Sequence, residues 1–264
     1  MKRSDLICEN GSIGAGEGTA NVHVFRKYGT EYQETVVDEE AKKRCGAEKG
    51  KYITLFTDAG NVKKCLTELT AGFLPGGKAL VVGLGNKNIG SDSLGARALK
   101  YIPATAHLSG HSDFKDLGMR SVCVLETGVT GKTGMESSAR AVCAAGYVGA
   151  DVIIAIDSLA CSDTERLCRV IQLTDTGIAP GSGVGNDRKA LSRETAGIPV
   201  LAIGVPTVID LDSITESGQS SGLMVTPRNI DVLSERLAEI IGISVSLALN
   251  PTLTEEELRS LLIL

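Results

Sequence analysis

From Lys78 onward the chain alternates short unbroken apolar runs with polar, glycine-bearing connections and amphipathic stretches. Ala79–Leu84, Ser121–Leu125, Val152–Ile156, Leu167–Leu173 and Pro199–Val205 read as strands, and Val152–Ile156, the most β-branched of them, is expected to be central. Helical spacing is expected over Asp92–Tyr101, with Ser91 as its N-cap, and over the alanine-rich stretch Met135–Tyr147. Asn229–Ile241 and Glu255–Ile263 read as further amphipathic helices. Residues 1–60 are the least regular. Gly11–Thr19 is glycine-rich and reads as a loop, His23–Tyr28 and Tyr52–Thr57 as short strands, and Asp38–Cys45 as an exposed helix. Strand–loop–helix alternation of this kind predicts an α/β fold in three layers, a mostly parallel or mixed sheet with helices on both faces. No repeat or long linker divides the 264 residues, so a single domain is expected, with 1–60 as an irregular N-terminal segment.

Composition sharpens this picture. There is no Trp and aromatics are 3%, so the core must be built from Val, Ile, Leu and Ala, as suits a sheet covered by helices. A net charge of −5 does not favour a nucleic-acid-binding surface. The seven Cys show no paired spacing, and the first ten residues hold no apolar stretch for export; reduced thiols and an intracellular, cytoplasmic location are expected. No apolar run reaches the roughly 18 residues needed to span a bilayer. Three His without metal-ligand spacing argue against a zinc site, and no cofactor is expected.

Several segments compete as carriers of chemistry. Gly128-Val-Thr-Gly131-Lys132-Thr133-Gly134 follows a strand, opens a helix and resembles part of a phosphate-binding loop, with Val152–Asp157 as a possible Walker B strand. The position where that motif requires its first glycine is Glu126, which would set negative charge against phosphate, so nucleotide hydrolysis is the weaker reading. Asp175-Thr176-Gly177 copies the triplet of pepsin-like proteases. Those proteases are all-β and use two copies, so a strand-end turn with Asp175 as a local cap is the simpler explanation, with Asp175 as a secondary candidate for the cleft. Gly177–Arg188 is a glycine-rich loop whose N–H groups, around Gly181, Ser182 and Gly183, could face a substrate carbonyl or oxyanion. Ser182 lacks the spacing of a nucleophile elbow, and each Cys reads as a small buried hydrophobe. Lys132 and Arg188 read by default as surface partners of acids.

Two aspartates stand out. Asp92 and Asp157 each follow an apolar run that reads as a buried strand, and ligands in an open α/β sheet sit outside the carboxyl ends of such strands. Two carboxyls brought together there would divide into one ionised and one protonated group, as an acid–base hydrolase requires. Taken singly, Asp92 reads as a helix N-terminal carboxylate and Asp157 as a strand-end cap. Periodicity alone does not bring them together.

The chain resembles the germination protease family of spore-forming bacteria. The likeness is carried by Gly83-Leu-Gly-Asn86 with Asp92-Ser-Leu-Gly95, by Gly128–Ser138, by Asp151–Ala160, by Ile171–Asn186, by Gly197–Asp210 and by Met224–Asp231. It runs with little interruption from about residue 78 to 250, and Ser4-Asp5-Leu6 is similar to the beginning of the family's mature chain. The resemblance implies an atypical aspartic endopeptidase on a fold like that of the hydrogenase-maturation proteases, with the catalytic pair at Asp92 and Asp157; Asn86, Asp175, Gly181, Ser182 and Gly183 stand beside that pair as the candidate substrate contacts. It further implies small acid-soluble spore proteins as substrate, the spore core as location, a zymogen, and a homo-oligomer that is a tetramer in the family. In two respects the chain departs from the family pattern. It starts near the mature beginning, so little or no propeptide is expected, and the stretch from Asp210 to Met224 is shorter than the family's. The alternatives are a relative that binds without cleaving, and a hydrogenase-maturation-type peptidase whose acidic residues recognise a metal.

Overall fold

The computed structural model describes residues 4–9, 21–111, 114, 118–181, 189–215 and 221–262. One nine-stranded mixed sheet organises them. Its strands are β1 (Asn21–Lys27), β2 (Thr30–Val37), β3 (Gly50–Phe56), β4 (Ala79–Gly83), β5 (Val122–Glu126), β6 (Val152–Cys161), β7 (Val170–Thr174), β8 (Val200–Asp210) and β9 (Met224–Val225). The spatial order is β1-β2-β3-β7-β8-β6-β4-β5, with β9 paired to β8. The half containing β8, β6, β4 and β5 is parallel, while β1, β2, β3 and β7 continue it antiparallel.

The parallel half follows from composition. Ala-Leu-Val-Val-Gly in β4 and Val-Ile-Ile-Ala-Ile in β6 are buried along their whole length, as strands covered on both faces must be. On one face Val81, Ile154 and Ile156 pack against α2 (Val62–Ala71), α3 (Leu94–Ala98) and the long helix α8 (Ile230–Leu249). On the other, Leu80, Val82, Ile153 and Ala155 meet α5 (Ser137–Val148), whose Ala141 and Ala145 let it lie close to the sheet. The expected three-layer α/β arrangement is therefore present. The described residues also hold the short helices α1 (Glu39–Cys45), α4 (Thr130–Thr133), α6 (Arg193–Ala196), α7 (Leu211–Ile214) and α9 (Glu255–Leu261).

The structure corrects the reading in four places. In residues 1–60, read as the least regular, β1, β3 and α1 lie close to the strands and helix expected there, but β2 was not anticipated. Nor was α2, which is capped by Asn61 accepting from the Lys64 N–H. The helix expected over Asp92–Tyr101 with Ser91 as cap is instead a 3₁₀ turn at Gly90–Asp92, then α3, then a second 3₁₀ turn at Leu99–Tyr101. Strands β6 and β8 run about a turn's length beyond their apolar runs, so Asp157 lies inside β6 and is not a strand-end cap. The Gly11–Thr19 loop lies outside the described residues. Among the described residues no helix is long and apolar enough to cross a membrane.

Candidate active site

The chain passes from β4 to β5 on one side and then returns to β6 on the other, so β4 and β6 flank the topological switch point of the parallel half. A crevice opens at the carboxyl ends of strands diverging in this way. The β4–β6 ladder ends with Gly83 opposite Ile156 and a last bond from the Leu84 N–H to the Ile156 carbonyl at 2.9 Å.

Asp92 sits in the loop that leaves β4. Gly85 takes φ +88° there. The Asn86 N–H then donates both to the Asp92 main-chain oxygen at 2.8 Å and to its Oδ2 at 2.9 Å. The next turn is pinned from two sides. Thr207 Oγ1 of β8 donates to the Ser91 carbonyl at 2.6 Å, and Ser234 Oγ of α8 donates to the Gly90 carbonyl at 3.0 Å. Arg97 secures α3 below it through Asp231 and Glu235, both at 2.9 Å.

Asp157 comes from the neighbouring strand, immediately past the end of the β4 ladder, with 4% of its surface exposed. Its Oδ1 accepts the Ser158 N–H at 2.8 Å, a hydrogen bond that satisfies part of this buried carboxyl. Both aspartates line one cavity of about 240 Å³, together with Asp5, Gly85, Ser158 and Gly181. A larger cavity of about 720 Å³ shares Asp5, Asp157, Ser158 and Gly181 with it and extends along Gln172, Thr174 and the turn after α1. Asp92 and Asp157 thus line the same small chamber, which lies beside a wider trough.

The other candidates divide. Gly181, at φ +78°, lines both cavities. Asn86 acts through its N–H on Asp92, while its Oδ1 accepts Lys132 Nζ at 2.9 Å. Asp175 is exposed at the end of β7, its Oδ1 accepts the Lys51 N–H at 2.8 Å, and it is absent from the lining of either cavity, whereas Thr176 and Gly177 line the larger one. Ser182, Gly183 and Arg188 lie outside the described residues. Glu126 ends β5 in an ion pair with Lys87 at 3.2 Å, which keeps a carboxylate where a phosphate loop would need an amide-lined cradle. Sequence reasoning did not pick out Asp5, Ser158, Ser137 or Thr207 as lining residues. The one available signal was the resemblance around Ser4-Asp5-Leu6. Among the described residues no group of three or more His, Cys, Asp or Glu is placed to hold a metal ion.

A family model described as germination protease matches residues 20–221, well over half of the chain. The chain belongs to the germination protease family. The germination protease of Caldanaerobacter subterraneus subsp. tengcongensis is 34% identical over 86% of this chain and 86% of its own. That of Clostridium acetobutylicum is 32% identical over 98% and 96%, and that of Bacillus cereus strain G9842 is 39% identical over 71% and 55%. The protein is accordingly a peptidase of the germination protease type, and its chemistry is hydrolysis of the peptide bond.

Proposed function

We propose that this germination protease cleaves small acid-soluble spore proteins in the spore core, with Asp92 and Asp157 as its reacting pair and water as nucleophile. The observation that supports the pairing is that Asp92, from the loop after β4, and Asp157, from β6, line one chamber at the switch point of the sheet. In this reading one carboxylate takes a proton from water as it attacks the scissile carbonyl. The other carboxyl donates its proton to the leaving amine, and the pair is restored by exchange with solvent. General acid–base assistance of this kind supplies roughly 10²–10⁴-fold. The proton belongs to the pair, since coupled carboxyls titrate together. The peptide would lie along the larger cavity, and backbone N–H groups near Gly181 would face the developing oxyanion. A homo-oligomer is part of the same proposal, checked by light scattering on the eluting peak.

The test is incubation with a purified small acid-soluble spore protein, read by intact mass, alongside Asp92→Asn and Asp157→Asn. Discrete fragments are expected from the parent chain and none from either variant, with thermal unfolding confirming that both are folded. Full activity in Asp157→Asn would refute the pair.

A further inference from the structure

We propose that Asp5 is a positioning residue for the reacting pair, standing in for the length of strand that β4 does not provide; this rests on the reading of Asp92 and Asp157 given above. In a parallel ladder the N–H and C=O of one residue point to the same neighbour, and alternate residues point to opposite neighbours. Ile153 turns toward β8, its N–H donating to the Pro199 carbonyl at 3.0 Å, and Ile156 turns toward β4. Ser158 and Ala160 therefore also face the β4 side, where β4 has already turned away at Gly85.

Each of these two residues finds a substitute. The Ser158 N–H is taken by Asp157 Oδ1. The Ala160 N–H donates to Asp5 Oδ2 at 2.8 Å, and the Ala160 carbonyl accepts the Asp5 N–H at 2.9 Å. Asp5 thus supplies both halves of a missing ladder rung, one of them from its side chain. On the opposite side the β6–β8 register shifts between Leu159 and Ala160, so the regular ladder is interrupted just where Asp5 supplies its rung.

Asp5 is itself held. Its carbonyl accepts Gln172 Nε2 at 3.1 Å, and the Ile7 N–H donates to Gln172 Oε1 at 2.8 Å. Glu9, four residues on, accepts Ser162 Oγ at 2.7 Å and the Asp163 N–H at 3.2 Å just past the end of β6. Leu6 is buried between these anchors. The segment therefore clamps β6 on the near side of Asp157's own hydrogen bond, and Asp5 lines both cavities beside it. Without the Asp5 carboxylate, the N–H of Ala160, a residue only 1% exposed, loses its acceptor.

The experiment compares the full chain with Asp5→Ala, Asp5→Asn and Asp157→Asn, using the spore protein as substrate and amide hydrogen exchange on each form. Asp5→Ala is expected to lower kcat by about 10²-fold, the cost of a misplacement of roughly 1 Å, with KM changed less than about threefold. Asp5→Asn keeps an oxygen for the Ala160 N–H and is expected to recover most of the loss. In Asp5→Ala, exchange protection should fall at Ala160 and at Ser158, whose acceptor is Asp157. Wild-type kcat in Asp5→Ala overturns the proposal, as does equal loss in Asp5→Asn and Asp5→Ala. Unchanged exchange at Ala160 and Ser158 overturns it whatever the activity assay gives. An active Asp157→Asn would overturn the reacting pair instead, and would be recognised because the exchange result at Ala160 does not depend on it.

Discussion

Replacing Gly85 by Ala tests whether the loop after β4 is what holds Asp92 at the chamber. Gly85 adopts φ +88°, and a Cβ built there stands 2.2 Å from the Asp92 main-chain oxygen and 2.7 Å from its Oδ1. Ordinary contacts of that kind lie near 3.5 Å, so the Asp92 turn must withdraw by on the order of 1 Å. The left-handed backbone adds strain of about 1–3 kcal/mol for a residue with a side chain. For a chain of this size each kcal/mol lowers Tm by about 2–4 °C. A displacement of 1 Å at a reacting carboxyl costs about 10²-fold in rate, equivalent to about 2.7 kcal/mol of transition-state stabilisation. The assay is kcat/KM for spore-protein cleavage together with Tm, with Gly146→Ala as the control, since nothing lies within 4 Å of a Cβ at that helical site. Gly85→Ala is expected to lose both activity and Tm. A variant that loses Tm but cleaves as well as the parent would refute the link between Asp92 placement and catalysis. One that loses neither would refute the loop geometry itself.

Further outcomes follow from the same geometry. Gly146→Ala, in the last turn of α5, should raise stability by up to about 0.5–1 kcal/mol, seen as a higher urea midpoint at unchanged slope. Burial and its hydroxyl bond to Glu235 push the Tyr101 phenol up to about 12 from an ordinary 10. The stability it contributes is therefore fully present below pH 10 and is lost as pH rises through about 12, so the urea midpoints of the parent chain and Tyr101→Phe should converge over that window. Parallel curves across it would contradict the assignment. Burial pushes the Cys161 thiol up to about 12 and that of Cys168 up to about 11, whereas Cys143 is exposed on α5. Near neutral pH a thiol reagent should label Cys143 in the folded protein and reach Cys161 and Cys168 only after unfolding. Rapid labelling of either buried thiol in the native state, located by peptide mass, would show that the β6–β7 region opens far more readily than its packing implies.

Much of the architecture was legible along the chain, for a physical reason. Strands β4, β6 and β8 are covered on both faces, so they must be written as continuous apolar runs, and such runs carry their own signal. Strand β1, anticipated at His23–Tyr28, carries no such signal for its place in the sheet. All seven of its residues are exposed, so neither face imprints a burial pattern on Asn-Val-His-Val-Phe-Arg-Lys, and its pairing with β2 comes from the hairpin ladder and not from a core. The last residues of β6 and β8 escaped for a related reason. Asp157, Ser158, Pro206 and Thr207 break the apolar run, yet the ladder carries the strands through them.

The sequence by itself determined the α/β class, the central apolar strands and, through its motifs, the two aspartates to consider. What only the tertiary structure decided is that both line one chamber. That follows from a register, Gly83 opposite Ile156, which ends β4 one residue short of Asp157 and leaves room for the Asp92 loop to fold over the gap. The role of Asp5 is more remote still, because its partner Ala160 lies on the far side of most of the fold in sequence. Side-chain periodicity reports which face of a segment is buried. Which segments meet, and where one strand stops against another, is set by the packing of the whole chain.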